Sequence, residues 1–296
     1  MTRSEFIKAA GATVAVAVAD RAFAESASAC GAVDYAALQQ EIDLVTPKDF
    51  AEFETAKFAA LKRLDEALGK ILAEVKSTVV TDKPAVWFVY NMGVVVKTRE
   101  ACFSIDLMHP RATMLAQLLD FALITHNHGD HFTEEFYRAM NGAGKTVISN
   151  FKDNYAAHFK NNAGGYTRAV KAFKLKDVEV RTTLTDHNGY LVDFTTAFEV
   201  KVGDYVIYHS GDCANVEKLN PTVKPDLWVM HPYCGLKVAD GVAKFHPETT
   251  VIAHLNELGH ARDRWRWTWE QGLKAKAQAA EAGGKAIVPV WGERIV

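Results

Sequence analysis

Apolar residues recur along this chain with two different periods. In the first quarter, Phe50, Phe53, Leu61, Leu64, Leu68, Ile71 and Val75 fall three or four residues apart, which is the spacing of one face of a helix. Residues 33–76 therefore read as helical, with Thr46-Pro47 as a start: a hydroxyl cap followed by proline at the first helical position. From residue 85 the pattern changes to short apolar runs bounded by polar or turn residues, at 86–90, 94–96, 102–106 and 121–124. Runs of this length read as buried strands, with Asn91-Met92-Gly93 as the turn between the first two. Thr133-Glu134-Glu135 opens a helix with acids in its first turn, where the macrodipole favours them. Strands resume at 178–184, 191–194, 197–200, 205–208, 226–230 and 249–253. Thr268-Trp269-Glu270-Gln271 is a capping-box pattern, opening a helix that stops at Gly283-Gly284. A closing strand follows at 286–290. The alternation predicts an α/β (α+β) domain over 79–296, preceded by a helical segment over 30–78, with no internal repeat and no second-domain boundary.

The N-terminus has a pattern of its own. Arg3 and Lys8 precede an Ala-rich apolar run at 9–19, and Ala22-Phe23-Ala24 or Ala27-Ser28-Ala29 supplies a small-x-small cleavage site. Residues 1–29 therefore read as an export signal, with a periplasmic destination. The run is too short for a transmembrane span. Thr2-Arg3-Ser4-Glu5-Phe6 is similar to a twin-arginine signal, with Ser4 where the second arginine belongs. The alternative is an Ala-rich N-terminal helix on a cytoplasmic protein. Cys30, directly after Ala29, raises lipidation as a further alternative.

Composition narrows the function classes. With 296 residues the chain can bury a sizeable core. A formal net charge of −2 provides no overall field for nucleic acid, so no such partner is expected. Four cysteines, Cys30, Cys102, Cys213 and Cys234, make no Cys-x-x-Cys pair, so neither a zinc ribbon nor a disulfide framework is indicated. The 141–145 loop lacks the full phosphate-loop spacing.

The chemistry concentrates in Thr125-His126-Asn127-His128-Gly129-Asp130-His131, directly after the apolar run at 121–124. His126 and His128 are two apart and share a side if the segment is extended. Gly129 lets the chain turn, so Asp130 and His131 can face a second point. Imidazole and carboxylate are donors for zinc and similar divalent ions, and four of them in one turn predict two adjacent ions.

A His-x-His-x-Asp-His motif after a buried strand resembles the metallo-β-lactamase superfamily. The resemblance implies a four-layer αββα sandwich with a dinuclear centre along one edge. It implies His126, His128 and His187 on one metal, Asp130, His131 and His254 on the other, and Asp212 of Ser210-Gly211-Asp212 bridging them. Asp106, ending a strand, matches the family's orienting acid. Zinc is the expected metal, with manganese or iron as alternatives. Asp130 and Asp212 are the expected catalytic residues: by family analogy the nucleophile is a hydroxide held by the metals, with Asp130 orienting it. His260 rivals His254 but lies away from the strand end.

His231 and Tyr233, at the end of another strand, are expected to touch substrate, a small molecule. Arg262, Arg264 and Arg266 alternate with Trp265 and Trp267, and if extended they would present a cationic wall to an anionic one. His209 is expected to face the interior or solvent, and Cys213 not to be a ligand. The short intervals look most like the branch of lactonases acting on ascorbate 6-phosphate and of phospholipase-D-like hydrolases. That branch implies a lactone, phosphodiester or thioester substrate. Among rival readings, diiron redox chemistry would call for an acid where His128 stands and a flavin domain, a nucleic-acid-processing member is disfavoured by the charge balance, and a metal-binding protein without turnover stays open.

Overall fold

A computed structural model of the chain describes residues 33–151, 163, 165–188 and 190–296. The export-signal reading of residues 1–29, and Cys30, lie outside them. Residues 38–296 form one compact unit.

Three helices come first: α1 (Tyr35–Asp43), α2 (Pro47–Glu52) and α3 (Ala59–Ser77). Thr46 caps α2 as its sequence predicts, its hydroxyl accepting from the Asp49 amide. The apolar stripe does not continue through one helix. Phe53 adopts a left-handed conformation with φ 48° and ends α2, and the stripe resumes in α3. There Leu61, Leu64, Leu68, Ile71 and Val75 are all buried, each contributing about 1.5–3 kcal/mol by burial.

The strands form two sheets. The first contains β1 (Ala85–Tyr90), β2 (Gly93–Lys97), β3 (Cys102–Ile105), β4 (Phe121–Ile124) and β5 (Thr146–Ser149), in that spatial order. Helix α4 (Glu134–Gly142), capped by Thr133, links β4 to β5. Strand β4 is flanked by parallel neighbours and buried along its whole length, as its unbroken apolar run predicts. The second sheet contains β6 (Lys171–Leu175), β7 (Val178–His187), β8 (Leu191–Val202), β9 (Tyr205–His209), β10 (Leu227–Met230), β11 (Thr249–Ile252) and β12 (Ala286–Ile287), again in spatial order. The pairs from β9 to β12 are parallel, and those from β6 to β9 antiparallel. Helices α5 (Val238–Phe245) and α6 (Trp269–Glu281) pack together on this half. The layers are those of an αββα sandwich, with α3 against β1, α4 against β5, and α6 against β11 and β12.

Two boundaries differ from the sequence reading. The runs at 191–194 and 197–200 belong to one twelve-residue strand, because β8 pairs along the full length of the long β7. The closing strand is only Ala286–Ile287, and it stops short of Pro289, which has no amide to donate to a ladder. Gly241 is required by packing: a Cβ there would collide with the Trp228 ring.

The sheets meet at the end where the site lies. The His254 amide donates to the Asn91 carbonyl at 2.8 Å, and the Thr196 amide to the Thr125 carbonyl at 2.9 Å. Each of these bonds joins a residue of one half to a residue of the other.

Candidate metal centre

Every candidate donor sits at or just past the end of a strand. The turn after β4 carries His126, His128, Asp130 and His131. It is tight, with the His131 amide donating to the His128 carbonyl at 3.1 Å. The Asn91 side chain holds the Asp130 carbonyl at 2.7 Å. His187 ends β7 beyond a register shift. Asp212 follows β9 through Gly211, whose φ of +52° and close neighbours admit no side chain: a Cβ would meet Thr125 Cβ and Thr195 Cγ2 at 2.8 Å. His254 follows β11 with φ 56°, a conformation that costs a non-glycine residue about 1–3 kcal/mol and persists where its surroundings enforce it.

These turns bring the donors into two groups. His126, His128 and His187 form one, and Asp130, His131, Asp212 and His254 the other, each with its donor atoms within 4.8 Å of one another. Atoms bonded at about 2.0–2.2 Å to a common centre lie at most about 4.4 Å apart, so donors gathered this closely need only small side-chain shifts to share one ion. Asp212 joins the groups: its Oδ2 lies 3.3 Å from His131 Nε2, 3.4 Å from His254 Nε2 and 3.5 Å from His187 Nε2. The structure thus brings close together the seven residues that the resemblance names.

Outer contacts fix the ring orientations. Asp106 is fully buried, and its Oδ2 lies 2.8 Å from His131 Nδ1 while accepting from the Thr125 hydroxyl at 2.7 Å. Its Oδ1 accepts from the Thr125 amide at 2.7 Å. The Thr125 hydroxyl also lies 2.9 Å from His126 Nδ1. Both rings so held turn Nε2 inward: His131 Nε2 faces the Asp212 and Asp130 carboxylates at 3.3 and 3.7 Å, and His126 Nε2 is buried with no hydrogen-bond partner among the described residues. A buried imidazole nitrogen without a partner costs about 1–3 kcal/mol, and a cation removes that cost. The imidazole and carboxylate donors fit divalent metal ions, and hard or borderline ones in particular.

Charge in the protein alone shows what the ions would replace. Burial opposes ionisation of Asp130, but the His131 and His254 cations beside it hold its carboxyl well below the usual range. Burial also opposes protonation of His131, yet Asp212, Asp130 and Asp106 outweigh it and hold its pKa well above the ordinary value. Against the same burial cost, Asp212 and Asp130 push His254 up to about 10. Burial pulls His126 well below the ordinary histidine value and takes His128 down to about 4. Two imidazolium protons thus offset the carboxylates in the absence of metal.

The centre forms the floor of a cavity of about 820 Å³. His231 lines it, stacked face to face on His254 with ring centroids 3.8 Å apart, its Nδ1 3.2 Å from Asp212 Oδ1. Tyr233 lines it too, anchored through its hydroxyl to the Gln271 carbonyl at 2.7 Å. Arg262 and Arg264 are not among the residues of the cavity wall, which contains no lysine or arginine among the described residues. Residues 262–265 form a turn rather than an extended strand, which takes the guanidinium groups away. Arg262 pairs with Asp43 at 2.8 Å. Arg266 is buried and donates to the carbonyls of Val45, Leu258 and His260. His260 stays outside both donor groups, its Nδ1 3.2 Å from Glu257 Oε2. His209 faces inward, Nε2 2.9 Å from the Met92 carbonyl, and the Cys213 thiol is turned to the Asn215 carbonyl.

Three wall residues escaped the sequence reading. Cys234 lies with its Sγ 3.8 Å from His187 Nδ1 and donates to the Asp212 carbonyl. Glu257 accepts from the amides of Gly259 and His260 and from the Tyr90 hydroxyl. Tyr190 stands exposed on the β7–β8 turn. Of the three, only Tyr190 had a sequence signal, an aromatic directly after an Asn-Gly turn.

A family model described as the Beta-lactamase superfamily domain matches residues 86–246, more than half of the chain. It spans β1 to α5 and includes all the donors except His254. A protein of Caldivirga maquilingensis described as a UPF0173 metal-dependent hydrolase is 26% identical over 202 residues, which cover 58% of this chain and 86% of that one. Among solved structures, Igni18, a metallo hydrolase from Ignicoccus hospitalis, superposes with a TM-score of 0.56 at 17% identity, covering 72% of this chain and 97% of that chain. An isothiocyanate hydrolase from Delia radicum gut bacteria gives 0.54 at 17% identity, covering 72% and 98%. The fold, the strand-end donors and the family match agree, and the chain belongs to the beta-lactamase superfamily.

Proposed function

We propose that this metal-dependent hydrolase cleaves an ester-type bond, in a lactone, phosphodiester or thioester, at a centre of two divalent ions. One observation carries the reading: a single carboxylate oxygen, Asp212 Oδ2, faces His187 of the first donor group and His131 and His254 of the second. His126, His128 and His187 would hold one ion, Asp130, His131 and His254 the other, with Asp212 between. Zinc is the first expectation, and an all-nitrogen-and-oxygen donor set suits manganese or iron as well. When bound, such ions act as Lewis acids and lower the pKa of coordinated water to about 7.

The chain's own residues do the rest. Asp130 lines the cavity as a carboxylate and is placed to orient the attacking water as a hydrogen-bond acceptor. Its Oδ2 is steadied by His254 at 2.9 Å. His231 is held neutral by burial, with its pKa down to about 4, and presents an uncharged imidazole to substrate beside Asp212. Asp212 places negative charge between the donor groups, which favours substrates that put an oxygen on each side of the attacked atom.

The test compares kcat/KM on a lactone, a phosphodiester, a thioester and a penicillin with one metal-loaded preparation. Turnover of at least one ester-type substrate is expected, abolished by chelation and by Asp212→Ala, with metal binding weakened in the variant. A penicillin cleaved about 100-fold faster than the others, or full activity in Asp212→Ala, would overturn the reading.

A further inference from the structure

We infer that the mouth of the cavity binds a flat, uncharged aromatic group of the substrate, joined to the bond broken on the floor. This rests on the hydrolytic reading of the centre. The two walls of the mouth come from different segments and both present aromatic rings. Tyr190 rises from the β7–β8 turn, 81% exposed. The segment after β11 supplies Trp265 and Trp267 to the same cavity, and Tyr233 stacks on Trp267 with centroids 4.6 Å apart and planes 26° from parallel.

Trp265 is the most informative of these residues. It is 64% exposed although it is the largest apolar side chain type. Its φ is 60°, in the left-handed region that a bulky residue adopts only under constraint. The constraint is visible on both sides. Arg266, next in sequence, fixes its guanidinium on three carbonyl oxygens. Upstream, the Glu257 carboxylate gathers the amides of Gly259 and His260. A buried arginine and a buried glutamate thus hold a strained backbone whose result is an indole displayed at the rim. His260 packs edge-on to it at 5.8 Å.

Ring faces held in place recognise flat apolar groups by stacking. The wall offers no lysine or arginine among the described residues to pair with an anionic group, so the aromatic surface favours a neutral aryl ester or aryl lactone over a substrate recognised by its charge.

The experiment uses metal-loaded protein and two uncharged alcohols without a cleavable bond, 2-naphthylmethanol and cyclohexylmethanol, read by tryptophan fluorescence. In parallel, turnover is measured on dihydrocoumarin, an aryl lactone, and δ-valerolactone, its aliphatic counterpart. Trp265 is exposed, so Trp265→Ala leaves the core intact, and Trp265→Phe restores a ring. Saturable quenching by the naphthyl alcohol is expected, at least about tenfold tighter than by the cyclohexyl alcohol and weakened about tenfold in Trp265→Ala. KM for dihydrocoumarin should rise by a similar factor with kcat within about twofold, Trp265→Phe should recover most of it, and δ-valerolactone should be unaffected. Equal binding of the two alcohols, or equal losses on both lactones, would overturn the inference. If neither lactone is cleaved while the alcohols are still discriminated, the aromatic site stands and lactones drop out of the hydrolytic reading.

Discussion

Asp130 Oδ2 lies 2.9 Å from His254 Nε2, across 124 residues of sequence. Asp130 hangs from the turn after β4 in the first sheet and His254 from the end of β11 in the second. The group of His126, His128 and His187 and the group of Asp130, His131, Asp212 and His254 each take members from both sheets.

The donor count makes metal content the first prediction. Elemental analysis after reconstitution and dialysis should find about two ions per chain. His128→Ala should lose at least one of them, because it removes a third of the first group. Saturation of the intact protein at one equivalent would show that the second group holds no ion.

Metal uptake should release protons, with a sign set by the raised histidines. His254 has a folded pKa of about 10 and His131 lies well above the ordinary value, while both return to about 6.5 on unfolding. Their stabilisation of the metal-free protein is therefore complete below about pH 6.5 and is lost as pH rises through the folded values. At pH 8 both carry protons that metal must displace. Calorimetric titrations in buffers of different ionisation enthalpy should report about two protons released per chain, and no buffer dependence would contradict the assignment.

Asp106→Ala should damage folding and metal binding together. The substitution strands the Thr125 amide, the Thr125 hydroxyl and His131 Nδ1 in a fully buried place. Denaturant unfolding of the metal-free variant should show a loss of about 3–5 kcal/mol. Metal affinity should fall by about 10–100-fold. Unchanged affinity would mean that the rings are oriented by other contacts.

Gly211→Ala should act through Asp212. The new methyl would meet Thr125 Cβ and Thr195 Cγ2, both at 2.8 Å, at a residue that already has positive φ. A destabilisation of about 1–3 kcal/mol is expected, together with weaker metal binding as the next residue is displaced. Adding Thr195→Ser removes one of the two clashing atoms, so it should recover stability in part but not in full.

The sequence exposes the site unevenly, for a physical reason. His126, His128, Asp130 and His131 lie in one turn, so the local chain alone brings their donors close. His187, Asp212 and His254 are single residues whose proximity depends on how strands are ordered in a sheet, and only family resemblance supplied that order. The wall residues Cys234 and Glu257 have no local pattern, because their roles arise from packing between segments. The guanidinium wall read from Arg262, Arg264 and Arg266 assumed an extended segment. The left-handed Trp265 turns the chain there, sends Arg266 into the interior and leaves the indoles at the cavity. Among the elements, β4 and the capped helices were legible because burial and capping leave local signatures. β5, β6 and α5 were not: β5 has only Val147 and Ile148 as its apolar run, β6 is a partly exposed edge strand with Lys171 and Lys174 in it, and α5 has no side-chain cap.

Asp212, His187 and His254 on one sheet share donor groups with the turn after β4 on the other, so ions held there would clasp the two halves of the sandwich. A clasp of this kind couples folding to ion supply: each site at free metal 100 times its dissociation constant adds about 2.7 kcal/mol to the folded state. The protein's resistance to heat and proteolysis is then a property of its surroundings as much as of its sequence, rising where divalent ions are plentiful and loosening along the seam between the sheets where they are scarce.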